Sequence, residues 1–172
     1  MPSRPEDWSV QRTLRTGETV SIRPIRADDR DPLNSFHEGL SSRTVYLRFF
    51  SAHPHLTDAD LDYFTRVDGV NRVALVAEVD EAIVGVGRFD LVDARTAEVA
   101  FVVTDRLQGR GLGALLLQRL MVIARGLGVE EFIAEVLPTN MRMLETFRHS
   151  GHPVAERIVE DVVEVTFPIL EA

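Results

Sequence analysis

The sequence predicts an α/β (α+β) fold in which helices flank a mixed, mostly antiparallel central sheet. Apolar residues first recur at helical spacing, then alternate as in strands from Arg72 onward, and finally follow a strand–helix–strand–helix order that a hairpin closes. At 172 residues and 19.3 kDa, the chain is long enough to bury one substantial core. We therefore predict a single domain over residues 13–172, preceded by a loose N-terminal tail over residues 1–12.

The N-terminal part of the domain combines a strand pair with three short helices. Residues 13–26 alternate in polarity about Gly17, which predicts two short strands joined by a turn. An acidic start precedes a helix that ends near Gly39, and the serines that open residues 41–50 predict a second helix. Thr57 is expected to be the N-cap of a third helix.

Strand-like runs dominate from Arg72 onward. Two of them meet at Asp80-Glu81 as in an antiparallel hairpin. A further strand is predicted at residues 97–103, followed by an amphipathic helix from Gly111 to Gly126. The remaining predicted elements are a strand at 131–138, a helix at 140–151 and a hairpin over 153–167.

Charge and composition exclude several classes of function. The net charge of -8 argues against nucleic acid as a partner, because nucleic-acid binders present a basic surface. The chain has no cysteine, and all 19 of its basic residues are arginine, which excludes thiolate chemistry, Schiff-base chemistry and a Walker-type phosphate loop. The polar N-terminus is not a signal peptide and no apolar run is long enough to cross a membrane, so a cytoplasmic location is expected.

Three alternating glycines, Gly109, Gly111 and Gly113, lie between the predicted strand and the amphipathic helix. Their spacing does not fit the G-x-G-x-x-G pattern of dinucleotide folds. It fits a shorter phosphate cradle, in which backbone N–H groups converge at a helix N-terminus and Arg110 adds a positive charge. It fits a ligand-free turn equally well.

The wider segment FVVTDRLQGRGLG resembles the acetyl-CoA-binding motif of the GNAT N-acetyltransferases. The signature Q/R-x-x-G-x-G/A fits Gln108, Gly111 and Gly113. The whole span from about Thr13 to Phe167 is similar to the GNAT fold. The stretches SIRPIRADD, YLRFF and TDADL are similar to a bacterial (Pat-like) subgroup of protein-lysine acetyltransferase domains, which are often attached to a nucleotide-binding or CoA-ligase module.

The resemblance implies acetyl-CoA as co-substrate, no metal and a defined set of cofactor contacts. Backbone groups of Phe101, Val102 and Val103 are expected to pair with the pantetheine arm. Asn140 is expected to contact the pantetheine near the thiol, to cap the last helix, or to do both. The residues whose amides are expected to hold the pyrophosphate are Gln108, Gly109, Arg110, Gly111, Leu112, Gly113 and Ala114.

An amine must be neutral to attack a thioester, and this requirement points to a general base. A lysine side chain has a pKa of about 10.4, so neutralising it at pH 7 costs roughly 4–5 kcal/mol. Glu98 interrupts an apolar strand, where a carboxylate is expensive to bury, and is the candidate base, acting directly or through a water. The alternative is that Glu98 pairs with Arg88 or Arg95 across the sheet. Glu78 and Glu135 are rival acids of the same type.

Phe147 occupies the position where the family often has a tyrosine that protonates the CoA thiolate. No tyrosine follows Tyr63 in this chain. The proton must then come from solvent, which we favour, from the amine itself, or from His149 or His152. Phe147 is expected to pack against the cofactor or the core.

The motif does not specify the acyl acceptor. The subgroup resemblance favours the ε-amine of lysine in a protein. The alternatives are a small amine (polyamine, amino acid or aminoglycoside) and a catalytically weak acyl-CoA-binding module. His53 and His55 lie in a loop without a second cluster, so no metal site is predicted. Acids in segments expected to border the acceptor groove are Asp28, Asp29, Asp58, Asp60, Asp62, Glu156, Glu160 and Asp161.

Overall fold

A computed structural model describes residues 4–169. Its eight strands form one sheet in the order β1-β2-β3-β4-β5-β6-β8-β7, in which only β5 and β6 run parallel. The predicted mixed, mostly antiparallel sheet is therefore confirmed. The strands are β1 (Val10–Thr13), β2 (Thr19–Pro24), β3 (Arg72–Val79), β4 (Ala82–Leu91), β5 (Thr96–Val103), β6 (Glu131–Val136), β7 (Ala155–Val159) and β8 (Val162–Pro168). The α-helices are α1 (Arg30–Glu38), α2 (Ser42–Phe49), α3 (Asp58–Thr65), α4 (Leu112–Gly126) and α5 (Met141–Arg148).

The N-terminal segment packs against the sheet and α4, so the prediction of a loose tail over residues 1–12 is wrong where the structure describes it. A 3-10 turn at Pro5–Asp7 leads to Trp8, whose side chain is only 2% exposed. Arg119 of α4 donates from Nε to the Trp8 carbonyl oxygen at 3.0 Å, and β1 then pairs with β2. A lone tryptophan and a four-residue strand carry no periodic signal in the sequence. Residues 1–3 lie outside the described part.

The three N-terminal helices begin and end at the residues that the sequence indicates. Gly39 follows α1, and its N–H donates to carbonyl groups of the last turn. Ser41 Oγ accepts from the N–H of Thr44 at 3.1 Å and caps α2. Thr57 and Asp60 form a reciprocal capping box at the start of α3. Satisfying these otherwise unpaired amides allows helices of eight or nine residues to persist.

Apolar side chains from alternate positions of the central strands form two clusters on the two faces of the sheet. The main core packs against α4, whose Leu116 and Leu120 are fully buried. The smaller core includes Leu33 and Phe36 of α1 and Leu61 of α3. No helix among the described residues is long and apolar enough to cross a bilayer.

The parallel strands β5 and β6 separate soon after they meet. They share three residue pairs, the last of which joins Glu98 to Ile133. Beyond that point β5 continues to pair with β4 as far as Val103, and β6 continues to pair with β8 as far as Val136. The edge of β5 over residues 99–103 is therefore unpaired on the side that faces β6, and the sheet opens there.

Candidate active site

The opening between β5 and β6 forms a cleft of about 1160 Å³. Its walls are the two separating strands, α2, the loop after β5, the first turn of α4 and α5. The cleft contains most of the site residues that the sequence predicts. Those that line it are Glu98, Phe101, Val102, Val103, Gln108, Gly109, Gly111, Gly113, Ala114, Asn140 and Phe147.

The three glycines of the loop have two different structural roles. Gly109 and Gly111 have φ angles of 74° and 92°, which side chains of L-residues rarely tolerate. Gly113 has no positive φ. A Cβ at Gly113 would lie 3.2 Å from Cε2 of Phe101, so its lack of a side chain lets α4 approach β5 closely. The pattern therefore combines a turn requirement with a packing requirement.

Residues 108–111 form a turn that leads into α4, and within residues 4–169 no backbone N–H of residues 109–114 donates a hydrogen bond of good geometry. They precede or begin α4, where the helix dipole favours an anion by roughly 0.3–2 kcal/mol. Unpaired donors at a helix N-terminus are well suited to phosphate oxygens. This part of the predicted cradle is sterically and chemically available.

Gln108 is engaged within the protein, which corrects its place in the predicted cradle. Its backbone N–H donates to the carbonyl oxygen of Asp105 at 3.2 Å. Its side-chain Nε2 lies 3.1 Å from Thr44 Oγ1 and 3.0 Å from the Val103 carbonyl oxygen, and its Oε1 accepts from Arg142 at 3.2 Å. The motif glutamine thus connects the loop to α2, β5 and α5.

Two other predicted cradle residues direct their side chains away from the cleft. The guanidinium of Arg110 turns back to the Arg106 carbonyl oxygen at 3.0 Å and does not line the cleft. The side chain of Leu112 is 1% exposed and lies in the main core. That the Arg110 charge adds to the cradle stays a prediction.

The unpaired edge of β5 presents alternate residues to the cleft. Thr104 donates to the Val84 carbonyl oxygen at 2.8 Å, which fixes the ladder between β5 and β4. Because main-chain groups alternate in direction along a strand, those of Val102 face β4 and those of Phe101 face the cleft. The expectation that Val102 pairs with the pantetheine through its main chain is therefore wrong. The carbonyl of Val103 faces the cleft side but accepts from Gln108.

Asn140 and Phe147 occupy the wall of the cleft formed by α5. The Oδ1 of Asn140 accepts from the N–H of Met143 at 3.4 Å, so the residue caps α5 while it lines the cleft. The ring of Phe147 is 1% exposed and lies 5.6 Å from the ring centroids of both Phe101 and Phe167. Its predicted packing against the core is confirmed.

Glu98 lies at the point where β5 and β6 separate, and its carboxylate has no hydrogen bond or ion pair with residues 4–169. The expected alternative, pairing with Arg88 or Arg95, does not occur. Arg88 donates to the Phe64 carbonyl oxygen and Arg95 pairs with Glu130. Glu98 is exposed to the cleft, yet partial desolvation by the surrounding strands raises its pKa above the usual value of 4.5, and the negative charges of Glu135 and Asp90 raise the pKa further.

The rival acids lie in different surroundings. Glu78 lies on β3 and does not line the cleft, and its carboxylate accepts a hydrogen bond from Arg23 Nε at 2.6 Å. Glu135 lies on β6 and lines the cleft beside Glu98. None of the eight acids expected to border an acceptor groove lines this cleft, and their role toward an acceptor stays a prediction. Several are used elsewhere: Asp29 binds Arg23, Asp58 and Asp62 bind Arg30, and Glu156 binds Arg148.

Four arginines that the sequence analysis did not select line the cleft, namely Arg15, Arg43, Arg48 and Arg142. Arg43 and Arg48 share α2, whereas Arg15 and Arg142 come from distant parts of the chain, so no local motif identifies the set. Arg142 reaches over the loop, and its Cζ lies 3.6 Å from the position that a Cβ of Gly109 would occupy. Among the described residues, no group of three or more histidine, aspartate or glutamate side chains is arranged to hold a metal ion.

The geometry agrees with comparisons to known proteins. The Acetyltransferase (GNAT) family matches residues 37–152, which is more than half of the chain. The chain belongs to the GNAT family. Members of this family use acetyl-CoA, so the predicted co-substrate is confirmed.

Similar proteins include two acetyltransferases and a solved GNAT domain. The chain is 37% identical to acetyltransferase Pat of Mycolicibacterium smegmatis over 142 residues, which cover 80% of this chain and 42% of Pat. It is 30% identical to acetyltransferase PA5475 of Pseudomonas aeruginosa, over 89% of this chain and 84% of that protein. The GNAT domain of S. lividans PAT superimposes with a TM-score of 0.91 at 36% identity, covering 96% of this chain and 99% of that domain. The GNAT fold is therefore confirmed.

Proposed function

We propose that the protein transfers an acetyl group from acetyl-CoA to a primary amine by direct attack, with Glu98 as the general base. The observation that carries this proposal is the unpaired Glu98 carboxylate at the point where the two strands separate. A carboxylate held by an arginine would be a weak base, whereas partial desolvation and neighbouring acids raise the pKa of Glu98. Glu98 accepts a proton from the attacking amine, directly or through a water.

The end of the cleft beside the glycine loop, which we call the cofactor end, supports the same reaction. The amides of residues 109–114 hold the pyrophosphate, and Phe101 pairs with the pantetheine through its main chain. Arg142 adds a positive charge beside the loop. This arrangement brings the thioester toward Glu98, because the pantetheine follows the unpaired edge of β5 from the loop.

The CoA thiolate takes its proton from solvent in this proposal. The ring at the usual tyrosine position, Phe147, has no hydroxyl and is buried between two other phenylalanines. His149 lies at the rim of the cleft, where its Nδ1 contacts the carbonyl oxygen of Glu145 at 3.0 Å. A thiol of ordinary pKa leaves as thiolate near neutral pH, so no dedicated acid is required.

Replacing the base tests the proposal. Glu98→Gln is expected to lower kcat by about 100- to 10,000-fold, because it keeps the side-chain shape and removes the proton acceptor. CoA should still raise the melting temperature of the variant, since the cradle is unchanged. Glu135→Gln is the matched control on the adjacent strand and should retain most of kcat. Full activity of Glu98→Gln would remove Glu98 from the mechanism.

The ε-amine of a protein lysine is the acceptor that we propose first. Similarity to Pat supports it, although the chain spans only 42% of that relative. Labelled acetyl-CoA, incubated with the protein and either a bacterial lysate or a panel of small amines, separates protein from small-molecule acceptors. The chain contains no lysine, so label on protein cannot arise from acetylation of its own side chains. We place this reaction in the cytoplasm.

A further inference from the structure

A small chamber of about 30 Å³ lies beside the cleft, between the sheet and helices α1, α2 and α3. Most of its lining is apolar, as expected for the smaller core. The exceptions are two guanidinium groups, those of Arg88 from β4 and Arg48 from α2, and the imidazole of His37, whose Nε2 lies 2.6 Å from the His53 carbonyl oxygen. Arg48 lines both the chamber and the main cleft, so the two spaces meet at its side chain.

Arg88 is a buried cation with an unpartnered donor. Its side chain is 7% exposed, and its Cζ lies 4.6 Å from the ring centroid of Phe64. Nη2 donates to the Phe64 carbonyl oxygen at 3.3 Å, whereas Nη1 is buried and has no partner among the described residues. Burial and repulsion from Arg48 lower the pKa of Arg88 to about 9, so it remains charged at neutral pH.

Arg48 is the second cation at this position. Its Cζ lies 4.9 Å from the ring centroid of Phe49, and its guanidinium makes no hydrogen bond or ion pair with residues 4–169. Two guanidiniums that repel each other in an apolar chamber are unfavourable unless an anion lies between them. Arginine forks bind carboxylates with paired N–H donors.

The nearby acids do not neutralise these two arginines by contact. Asp90 accepts from Tyr63 Oη at 3.3 Å and lies 3.9 Å from Arg72 Nε. Neither Asp90 nor Glu98 forms an ion pair with these cations; the charge of Asp90 acts on both of them over a distance, and that of Glu98 acts on Arg48. Glu98 therefore borders the cleft, whereas the guanidiniums of Arg48 and Arg88 have no carboxylate in contact with them among the described residues.

We propose that Arg48 and Arg88 bind a carboxylate of the acceptor, and that the enzyme acetylates amino acids in addition to protein lysine. Arg88 lies across the ladder from Ala100, two residues from Glu98 along β5 and therefore about 7 Å away at the backbone. A zwitterion matches this layout, with its ammonium group toward Glu98 and its carboxylate toward the arginines. A polyamine does not, because its second cation would meet two guanidiniums.

The inference rests on the proposed acetyl transfer and adds a binding site to it. Glu98 accepts a proton from the ammonium group and passes it to solvent, the neutral nitrogen forms a bond to the acetyl carbon, and the thioester C–S bond breaks. The nitrogen then releases its second proton to solvent, and the CoA thiolate takes a proton from solvent. Arg88 lies beneath three helices, so only a small group entering past Arg48 can reach it. A free amino acid satisfies this limit, whereas the backbone of a folded protein does not.

The test compares acceptors that differ only in the carboxylate. The acceptors are L-leucine, L-phenylalanine and L-glutamate, and each is compared with the derivative whose α-carboxylate is replaced by a primary amide. Acetyl transfer from acetyl-CoA is measured for the wild-type protein and for the variants Arg88→Gln, Arg48→Gln and Arg95→Gln. Arg95 is exposed and remote from the chamber, so its variant is the matched control. We expect the wild type to prefer an amino acid over its amide, and each chamber variant to reduce that preference by about 10- to 100-fold in kcat/KM.

Three outcomes would overturn the inference. The first is equal use of amino acid and amide by the wild type. The second is a loss in Arg88→Gln and Arg48→Gln that is the same for both acceptors, which would indicate a structural role. The third is a wild type that uses succinyl-CoA in preference to acetyl-CoA with leucinamide, and loses this preference in the chamber variants, which would place the carboxylate on the acyl chain.

Further measurements separate this inference from the proposed function. Compared with Arg88→Gln, the variant Arg88→Lys should recover part of the preference for the amino acid over its amide. Lysine restores the positive charge but not the paired N–H donors of a guanidinium. A CoA-induced rise in melting temperature and an unchanged far-UV circular dichroism spectrum confirm that each variant is folded. Failure of the wild type to acetylate any amine, with CoA still bound, contradicts the proposed function itself. Acetylation of a lysine peptide but of no amino acid contradicts only the carboxylate site.

Discussion

The two ends of the cleft use different parts of the polypeptide. The cofactor end is formed by main-chain groups of consecutive residues, 109–114, and by one strand edge. The acceptor end is formed by charged side chains of α2, β4, β5 and β6. Contacts within the protein also differ, because Gln108 fixes the loop to its neighbours whereas Glu98 and Arg48 have no polar partner among residues 4–169. A shared co-substrate needs one fixed geometry, whereas an acceptor site varies by exchange of individual side chains.

Apart from the variants of Glu98 and of the chamber arginines, the largest expected effect is on stability. It tests how closely the side chains at the cofactor end are packed. Phe147→Tyr would place a hydroxyl between Phe101 and Phe167, where the ring is 1% exposed. An unpaired buried hydroxyl is expected to lower the free energy of unfolding by about 1–3 kcal/mol. Urea denaturation measures the loss, and kcat should not rise. An increase in kcat without loss of stability would mean that a tyrosine at this position can reach the thiolate.

A smaller effect separates backbone strain from ligand binding. Gly111→Ala forces an alanine to a φ of 92°, which costs about 1–2 kcal/mol, and should also weaken CoA binding because the amides of the loop shift. Gly17 is a matched control, since it has the same φ of 92°, has no atom within 4 Å of an added Cβ, and does not line the cleft. Gly17→Ala should lose similar stability with unchanged CoA affinity by calorimetry. Equal CoA affinity in both variants would contradict the cradle.

The smallest effect concerns the pH profile at the acceptor end. The base must be ionised, so kcat/KM is expected to fall as pH decreases through the raised pKa of Glu98. Removing the adjacent charge in Glu135→Gln should move this acid limb to lower pH by a few tenths of a unit. Protonation of Glu98 favours the folded state, so its contribution to stability is present at low pH and decreases as pH rises through that pKa. If the acid limb does not move, the charge of Glu135 does not influence the pKa of Glu98.

The fold and the cofactor end could be predicted from the sequence because both depend on local signals. Capping residues such as Ser41 and Thr57 specify where helices begin, and apolar periodicity separates helices from strands. The glycine loop is contiguous, so its motif alone is enough to propose a cofactor site there. Glu98 could be selected because it is a carboxylate inside an apolar strand.

The arginines of the acceptor end could not be predicted, because they are brought together only by folding. Arg48 lies in a helix that also contains Arg43, and Arg88 is one arginine in a strand, so neither differs locally from a surface residue. That neither of them contacts a carboxylate among the described residues is a property of the three-dimensional arrangement. The role of Gln108 was equally hidden, because the sequence does not show that Thr44 and Arg142 lie beside it.

The buried Trp8 has a practical consequence for anyone who trims or fuses this protein. Removing the first dozen residues would take away an edge strand, expose the back of α4 and delete the carbonyl oxygens that hold Arg119. Expression boundaries chosen from the acetyltransferase motif alone, or from residues 37–152, would therefore yield a fragment with an open hydrophobic surface. A fusion partner joined before Pro5 should leave the folded unit intact.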